Sequence, residues 1–373
     1  MDSSTGDDDE TSVEEPSPDE PSVEEPSPDE PSPEPSVEEP SPEPSVEEPS
    51  PDEPSPEPSD DEPSPDEPRG GSGGMTPSSG GSPAEPEPST PGECGTIRNF
   101  ADGLEPNREI HVATTGDDGN DGSAENPVAS IERGIQLATP GTAVRIHEGT
   151  YAGDAYVSGL AGEADAPIWV GGVPGEARPI IEGGGEALHL SAPRYVVLHD
   201  LEIAGQEANG INVDDGEDLA NEDAARHLVF QNLYFHDIGT GGNQDCLKLS
   251  GVNDHFVLDS RFERCGEGGS AIDHVGCHRG LLARNLIEDV GGSGIQSKGG
   301  SDDIEIRGNL FLSAGQRPTN LGGSTGFEFF RPPLSESEPN YEARNIRAIA
   351  NVFVGGVAAA NFVGCVDCLA ANN

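Results

Sequence analysis

A chain of 373 residues that carries only two lysines, Lys248 and Lys298, draws attention to both. A lysine ammonium can neutralise a carboxylate, or can take up a proton as a base where its surroundings lower its pKa. Arg331 lies in the run Phe327-Glu-Phe-Phe-Arg-Pro-Pro333. A guanidinium among aromatic rings suits a sugar acid, with the charge holding the carboxylate and the rings offering faces to a pyranose. A loop pinned by its own aromatics fits the same residues equally well. Asp214, Asp215 and Asp218 crowd one short polar insertion. Those residue types are compatible with a cation site and with a solvated loop in equal measure.

Any such site belongs to a strongly acidic chain of net charge −52. That charge repels nucleic acid, and no basic patch exists to gather phosphate. A polyanionic ligand would need a bridging cation or a local island of Arg and Lys. The plain account of the lysine scarcity is a compositional preference for arginine or adaptation to salt.

The acid is unevenly spread. Before Gly95 lie 24 of the 35 prolines, and 30 acidic residues against the single base Arg69 give −29. From Gly95 onward, 41 acids and 18 bases give −23. Residues 11–68 repeat Ser-Val-Glu-Glu-Pro-Ser-Pro and Ser-Pro-Asp-Glu-Pro almost without a break. Such a segment has too little apolar surface to fold, and its prolines and like charges favour an extended polyproline form. The expectation is a disordered acidic Pro-rich stalk over 1–93, with a Gly/Ser hinge at Gly70–Gly81, carrying a folded domain over 94–373. No apolar run has the length of a membrane span, and Met1 opens into acidic residues rather than a leader. A stalk of this kind makes most sense outside the cell. The expected location is therefore secreted or cell-surface, with a lipoprotein anchor as one form and the leader upstream of Met1.

The folded part opens with the strand Ile110–Ala113, then an Asp/Gly/Asn turn from Gly116 to Gly122. Asn126-Pro127 should start an amphipathic helix with Ile131, Ile135 and Ala138 on one face, ended by Pro140-Gly141. Val144–His147 returns as a strand. This block resembles the N-terminal cap of pectate-lyase-like parallel β-helix proteins, where the helix plugs the open end of the coil. The resemblance implies an all-β fold, a right-handed parallel β-helix solenoid with an N-terminal capping helix. An uncovered end would expose apolar core and unpaired strand edges.

Downstream, a unit recurs: VVLHDLEI (196–203), VFQNLYF (229–235), VLDSRFE (257–263), LLARNLIE (281–288), IEIRGNLF (304–311) and IRAIANVF (346–353). Asp200, Asn232, Ser260, Asn285, Asn309 and Asn351 fall where each coil turns. The expectation is one polar column bonding rung to rung. A second strand per rung should send Ile211, Leu247, Ile272 and Ile295 inward. It should send Asn212, Lys248, Asp273 and Gln296 outward in one column, with Asp214, Ser250, Val275 and Lys298 in the next. Between Gln316 and Arg344 the period breaks into a loop bearing Phe327, Phe329, Phe330, Arg331 and Tyr341. The chain stops at a rung corner with no capping segment after Asn373, which reads as a truncated C-terminus.

Within the resembled family, calcium-dependent polysaccharide lyases with a lysine base carry an Asp-Asp-x-x-Asp cluster before a rung reading Phe-Lys-Leu-Gly-Gly. This chain has Asp214, Asp215 and Asp218 at that spacing, then Leu247-Lys-Leu-Ser-Gly251. The resemblance implies that the three aspartates hold Ca²⁺ and that Lys248 is the base of a β-elimination on a uronate-containing polysaccharide. Lys298 is the second candidate and Arg331 the carboxylate anchor. A cross-strand ion pair between Lys248 and Asp273 is the simpler account of that lysine, and it would raise its pKa against a base role. Asp245-Cys246 is similar to part of a polygalacturonase motif, with Gln244 and Ser293 in place of the acid and histidine a hydrolase would need. Of the six cysteines, Cys277 and Cys365 share a rung position but lie too many rungs apart to bond. Cys94 could tie the stalk to the cap, and the rest are small core residues or local bridges. His274 and His278, flanking Cys277, read as stacking or core histidines. The expectation is an extracellular protein, monomeric, with an acidic polysaccharide or other glycan as partner and no nucleic acid. It is either a lyase or a non-catalytic binding or adhesion scaffold.

Overall fold

Stretches such as Arg194–His199, Ala225–Gln231 and Val252–Leu258 carry runs of β-branched, aliphatic and aromatic residues that are mostly buried, the pattern of a strand in a parallel sheet. Each pairs in parallel with the equivalent stretch one coil later, so that Phe230 meets Val257, Val257 meets Leu282 and Leu282 meets Ile306. The computed structural model describes residues 96–373 apart from Thr240. The stalk and Cys94 lie outside the described residues. The strands form three parallel sheets of 12, 8 and 8 strands. Consecutive strands visit different sheets: Arg194–His199 the first, Glu202–Ala204 the third, Ile211–Asp214 the second, then Ala225–Gln231 the first again. The result is a parallel β-helix.

Its interior is a set of stacked apolar columns. Ile211, Leu247, Ile272 and Ile295 lie in register and fully buried, as alternation requires. Phe235 and Phe262 stack with ring centroids 4.9 Å apart. Each such side chain contributes about 1.5–3 kcal/mol relative to remaining exposed.

The helix is shorter and later than its sequence pattern indicates. Asn126-Pro127 leads instead into a bridge between Val128 and Val112. The helix spans Ile131–Gln136, with the Ser130 hydroxyl accepting the Arg133 N–H at 3.2 Å as N-cap. Ile131 and Ile135 are buried in the core, while Ala138 falls past the last turn.

The polar corner column also needs correcting. Strand register places Leu201, Leu233, Ser260, Asn285, Asn309 and Asn351 one above another, each directly before its third-sheet strand. Asp200 and Asn232 stand one residue earlier, at φ of 54° and 53°, in a separate column of left-handed bends. The first two rungs therefore fill the corner with leucine. From Ser260 onward it is polar: Ser260 N–H donates to Asn285 Oδ1 at 3.0 Å, Asn285 to Asn309 and Asn309 to Asn351. Both kinds of filling keep the corner position buried.

The cysteines form the local bridges Cys246–Cys265 and Cys365–Cys368, and Cys277 is buried and free. In the last coil Val352, Val354, Phe362 and Leu369 are exposed. Among the described residues no helix is long and apolar enough to cross a membrane.

Candidate functional site

The outward face of the second sheet carries both lysines, and strand register explains why. Asn212, Lys248, Asp273 and Gln296 are successive neighbours in one column. Val275 and Lys298 adjoin in the next. Lys248 reaches across to its neighbour, donating from Nζ to Asp273 Oδ2 at 2.7 Å and to Asp245 Oδ2 at 3.1 Å. From the following rung, Lys298 brings its Nζ to 3.2 Å from Asp273 Oδ1, off the hydrogen-bonding direction. The chain's only two lysines thus converge on one carboxylate that is 1% exposed.

Electrostatics follows from that burial. Desolvation opposes charge on Lys248, but the carboxylates of Asp273 and Asp245 outweigh it and hold the pKa above the ordinary lysine range. Asp245 is pushed up to about 6, first by burial and then by the charge of Asp273. Asp273 keeps its charge because the two ammonium groups more than offset its own desolvation. Asp245 is fixed in place: Ser270 N–H donates to its Oδ1 at 2.7 Å, and the Cys246–Cys265 bridge begins at the next residue. The cross-strand ion pair is real, and it keeps Lys248 protonated. A protonated lysine is a charge neutraliser, not a base.

The three aspartates are not brought together. Asp214 accepts from Ser191 Oγ at 2.8 Å and pairs with His189 Nε2 at 2.6 Å. Asp215 gives both oxygens to Arg331, at 2.6 and 3.2 Å, while Asp218 turns outward to Asn221 at 2.9 Å. Among the described residues no three His, Cys, Asp or Glu side chains group as a metal site. The trio as it stands does not fit a calcium cradle, because its central member already neutralises a guanidinium.

Arg331 is held for the same reason. Its stem lies across the bends that end the second-sheet strands. A Cβ on Gly276, at φ 63°, would stand 2.3 Å from the Arg331 Cβ, so only glycine admits the loop there. Its guanidinium also donates to Phe329 O at 2.9 Å, and Phe330 is buried beneath. Arg331 pins the aromatic loop onto the Asp215 insertion, while Phe327 and Phe329 stay exposed.

His189 escaped the residue-type reasoning, as did His255, whereas His274 is the core histidine its position indicated. His189 faces outward between Tyr156 and Asn212 in the Lys248 column. It touches Asp214, lies 3.4 Å from Glu186, and meets the Tyr156 ring edge-on at 5.1 Å. Alternation in Leu188-His-Leu-Ser191, one rung before Ile211–Asp214, was the available signal. His255 and His274 are both fully buried, with Nε2 atoms 3.2 Å apart, and burial holds His274 down to about 4. These two remain neutral in the core.

No protein-family model matches the chain, and no curated protein matches it. Solved structures do. The chain is similar to a GH136 lacto-N-biosidase from Eubacterium ramulus at 16% identity and TM-score 0.48, covering 71% of this chain and 55% of that one. It spans little more than half of that protein's length. It is also similar to an alginate lyase from Paenibacillus sp. str. FPU-7, at 14% identity and TM-score 0.46, covering 69% of this chain and 99% of that one. A pectate lyase, Pel9A, matches at 14% identity and TM-score 0.40, covering 69% and 79% respectively.

Proposed function

We propose that the outward face of the second sheet binds a uronate-containing polysaccharide and cleaves it by β-elimination. The observation that carries this reading is the convergence of both lysines on Asp273, the one place where a chain of net −52 gathers ammonium groups. A sugar carboxylate approaching that place meets the fixed ammonium of Lys248, which offsets the negative charge that develops when the neighbouring proton leaves. Lys298, with one carboxylate partner against two for Lys248, is the lysine assigned to release its own proton to solvent and then take the one from the sugar. The C–O bond one carbon away then breaks, a C=C bond forms in the sugar, and the departing oxygen takes a proton from water. No step passes through calcium or through Arg331. Two disulfides accord with an oxidising, extracytoplasmic setting.

The test is incubation with polygalacturonate, alginate and glycosaminoglycans, with calcium or with chelator, following absorbance of the unsaturated product. Lys298→Ala should lower the rate by about 100-fold or more, the usual worth of a positioned base. Lys248→Ala should weaken both binding and rate. Product formation at an unchanged rate in Lys298→Ala sinks the mechanism. A second reading, a non-catalytic glycan-binding scaffold, is favoured by the saturation of Lys248 and Arg331 with protein carboxylates. Retention on polyuronate without any product would select it.

A further inference from the structure

The chain's single tryptophan, Trp169, lies away from the lysine face. Its strand neighbours Ile168 and Val170 point into the core, so Trp169 faces outward from the first sheet and remains half-buried. It forms part of the floor of an open cleft of about 490 Å³, beside Val197. In the adjoining outward column stand Arg145, Gly171, His199 and Gln231. Gly171 is required there: a Cβ would lie 2.6 Å from the His199 ring, which occupies that space instead.

The opposite wall is the segment 99–106, closed on itself and anchored. Asn99 N–H donates to Asp102 Oδ2 at 3.1 Å and Leu104 N–H to Ala101 O at 3.1 Å. Phe100 packs edge-on to Tyr195, with ring centroids 5.6 Å apart. Polar groups point to a ligand. His199 Nδ1 pairs with Asp200 at 2.7 Å, leaving Nε2 without a protein partner, and the Gln231 carboxamide and Trp169 N–H make no hydrogen bond among the described residues. Asp102, Glu105 and Asp200 line the cleft against Arg145, so its balance is acidic.

We propose that this cleft is a second carbohydrate site, one that takes a neutral pyranose stacked on Trp169 and hydrogen-bonded by Gln231 and His199. A partly exposed indole offers a flat apolar face, and amide and imidazole edges satisfy hydroxyls that both donate and accept. The acidic lining disfavours uronates, which sets this cleft apart from the lysine face.

Because Trp169 is the only tryptophan, indole emission from the intact chain reports on this cleft alone. Emission would be titrated with cellotetraose, xylotetraose, mannotetraose and tetragalacturonate. A saturable change with at least one neutral oligosaccharide is expected, about five-fold or more weaker in Gln231→Ala, which keeps the fluorophore and loses one or two hydrogen bonds. The change should persist unaltered in Lys298→Ala, which separates this site from the proposed elimination. The proposal is overturned if no neutral sugar alters emission, if tetragalacturonate does so equally well, or if Gln231→Ala binds as the wild type does.

Discussion

A carboxylate shared by two lysines and a pair of histidines sealed in the core show how far a residue's neighbours decide its chemistry. The residue types of Lys248 and Asp273, and their opposition across one rung, follow from strand alternation alone, and the resulting ion pair is what that spacing dictates. The second carboxylate was not foreseeable, because Asp245 precedes its strand and reaches Lys248 only through the bend fixed by the Cys246–Cys265 bridge. Nor was the fate of Asp215, whose partner Arg331 lies 116 residues away in sequence. The core histidines yield a pH dependence of definite sign. His274 sits in the inward column between Leu249 and Ser297 and is held at about 4, against 6.5 when unperturbed. Unfolding therefore takes up a proton below that ordinary value. The stability is present in full above about 6.5 and is lost as pH falls through about 4. His255, lowered in the same direction by burial, adds to the loss. His274→Leu, matching Leu249 beside it, should flatten the fall of the thermal midpoint between those pH values. A midpoint that drops as steeply in the variant as in the wild type would remove the histidine from the account.

Strands were easier to foresee than the corners between them. Alternation placed the second-sheet columns in correct register, because shifting a strand by one residue would turn its apolar side chains to solvent. Corners obey no such rule, and aligning polar residues merged two adjacent columns into one. At the buried corner position the protein accepts leucine, serine or an amide. At the preceding left-handed bend it accepts aspartate, asparagine, arginine or alanine, as at Asp259, Arg284 and Ala350. Stacked bends pair with one another: Arg264 lies against Asp237, Arg279 against Asp254 and Arg284 against Asp259. Being exposed, these pairs stabilise little individually. The two columns should respond very differently to truncation. Asn309 donates to Leu282 O at 3.0 Å and its side chain also links Asn285 to Asn351, so Asn309→Ala leaves buried groups orphaned. A loss of about 3 kcal/mol is expected in denaturant unfolding. Asn232→Ala, at the exposed bend, should cost no more than about 0.5 kcal/mol. Equal losses would mean that the amide ladder is not what holds the corner.

Charge acts on the chain taken together. From Gly95 onward 41 acidic residues stand against 18 lysines and arginines, so compaction forces like charges closer, and added salt relieves that repulsion. The same salt weakens the arginine–aspartate pairs along the bends. Repulsion should prevail, so the thermal midpoint is expected to rise as sodium chloride goes from low concentration to about 1 M, where screening acts over only a few ångströms. A falling midpoint would assign the surface pairs the larger share. The composition announced this imbalance from the start. Composition alone does not place the lysines, but strand alternation does: it sends both outward from one sheet, where Lys298 lies beside Asp273.

That placement has a practical corollary for anyone handling the molecule. Amine-directed reagents find only the α-amino group and two side chains to attack, and both side chains sit on the same patch. Lys298 has one carboxylate partner against two for Lys248, but its side chain is the more buried. Ordinary ester coupling, usually a scattershot reaction, would here be confined to two addresses, the α-amino group and this one patch. Protection of the second address by an added oligosaccharide could then be read directly by peptide mass.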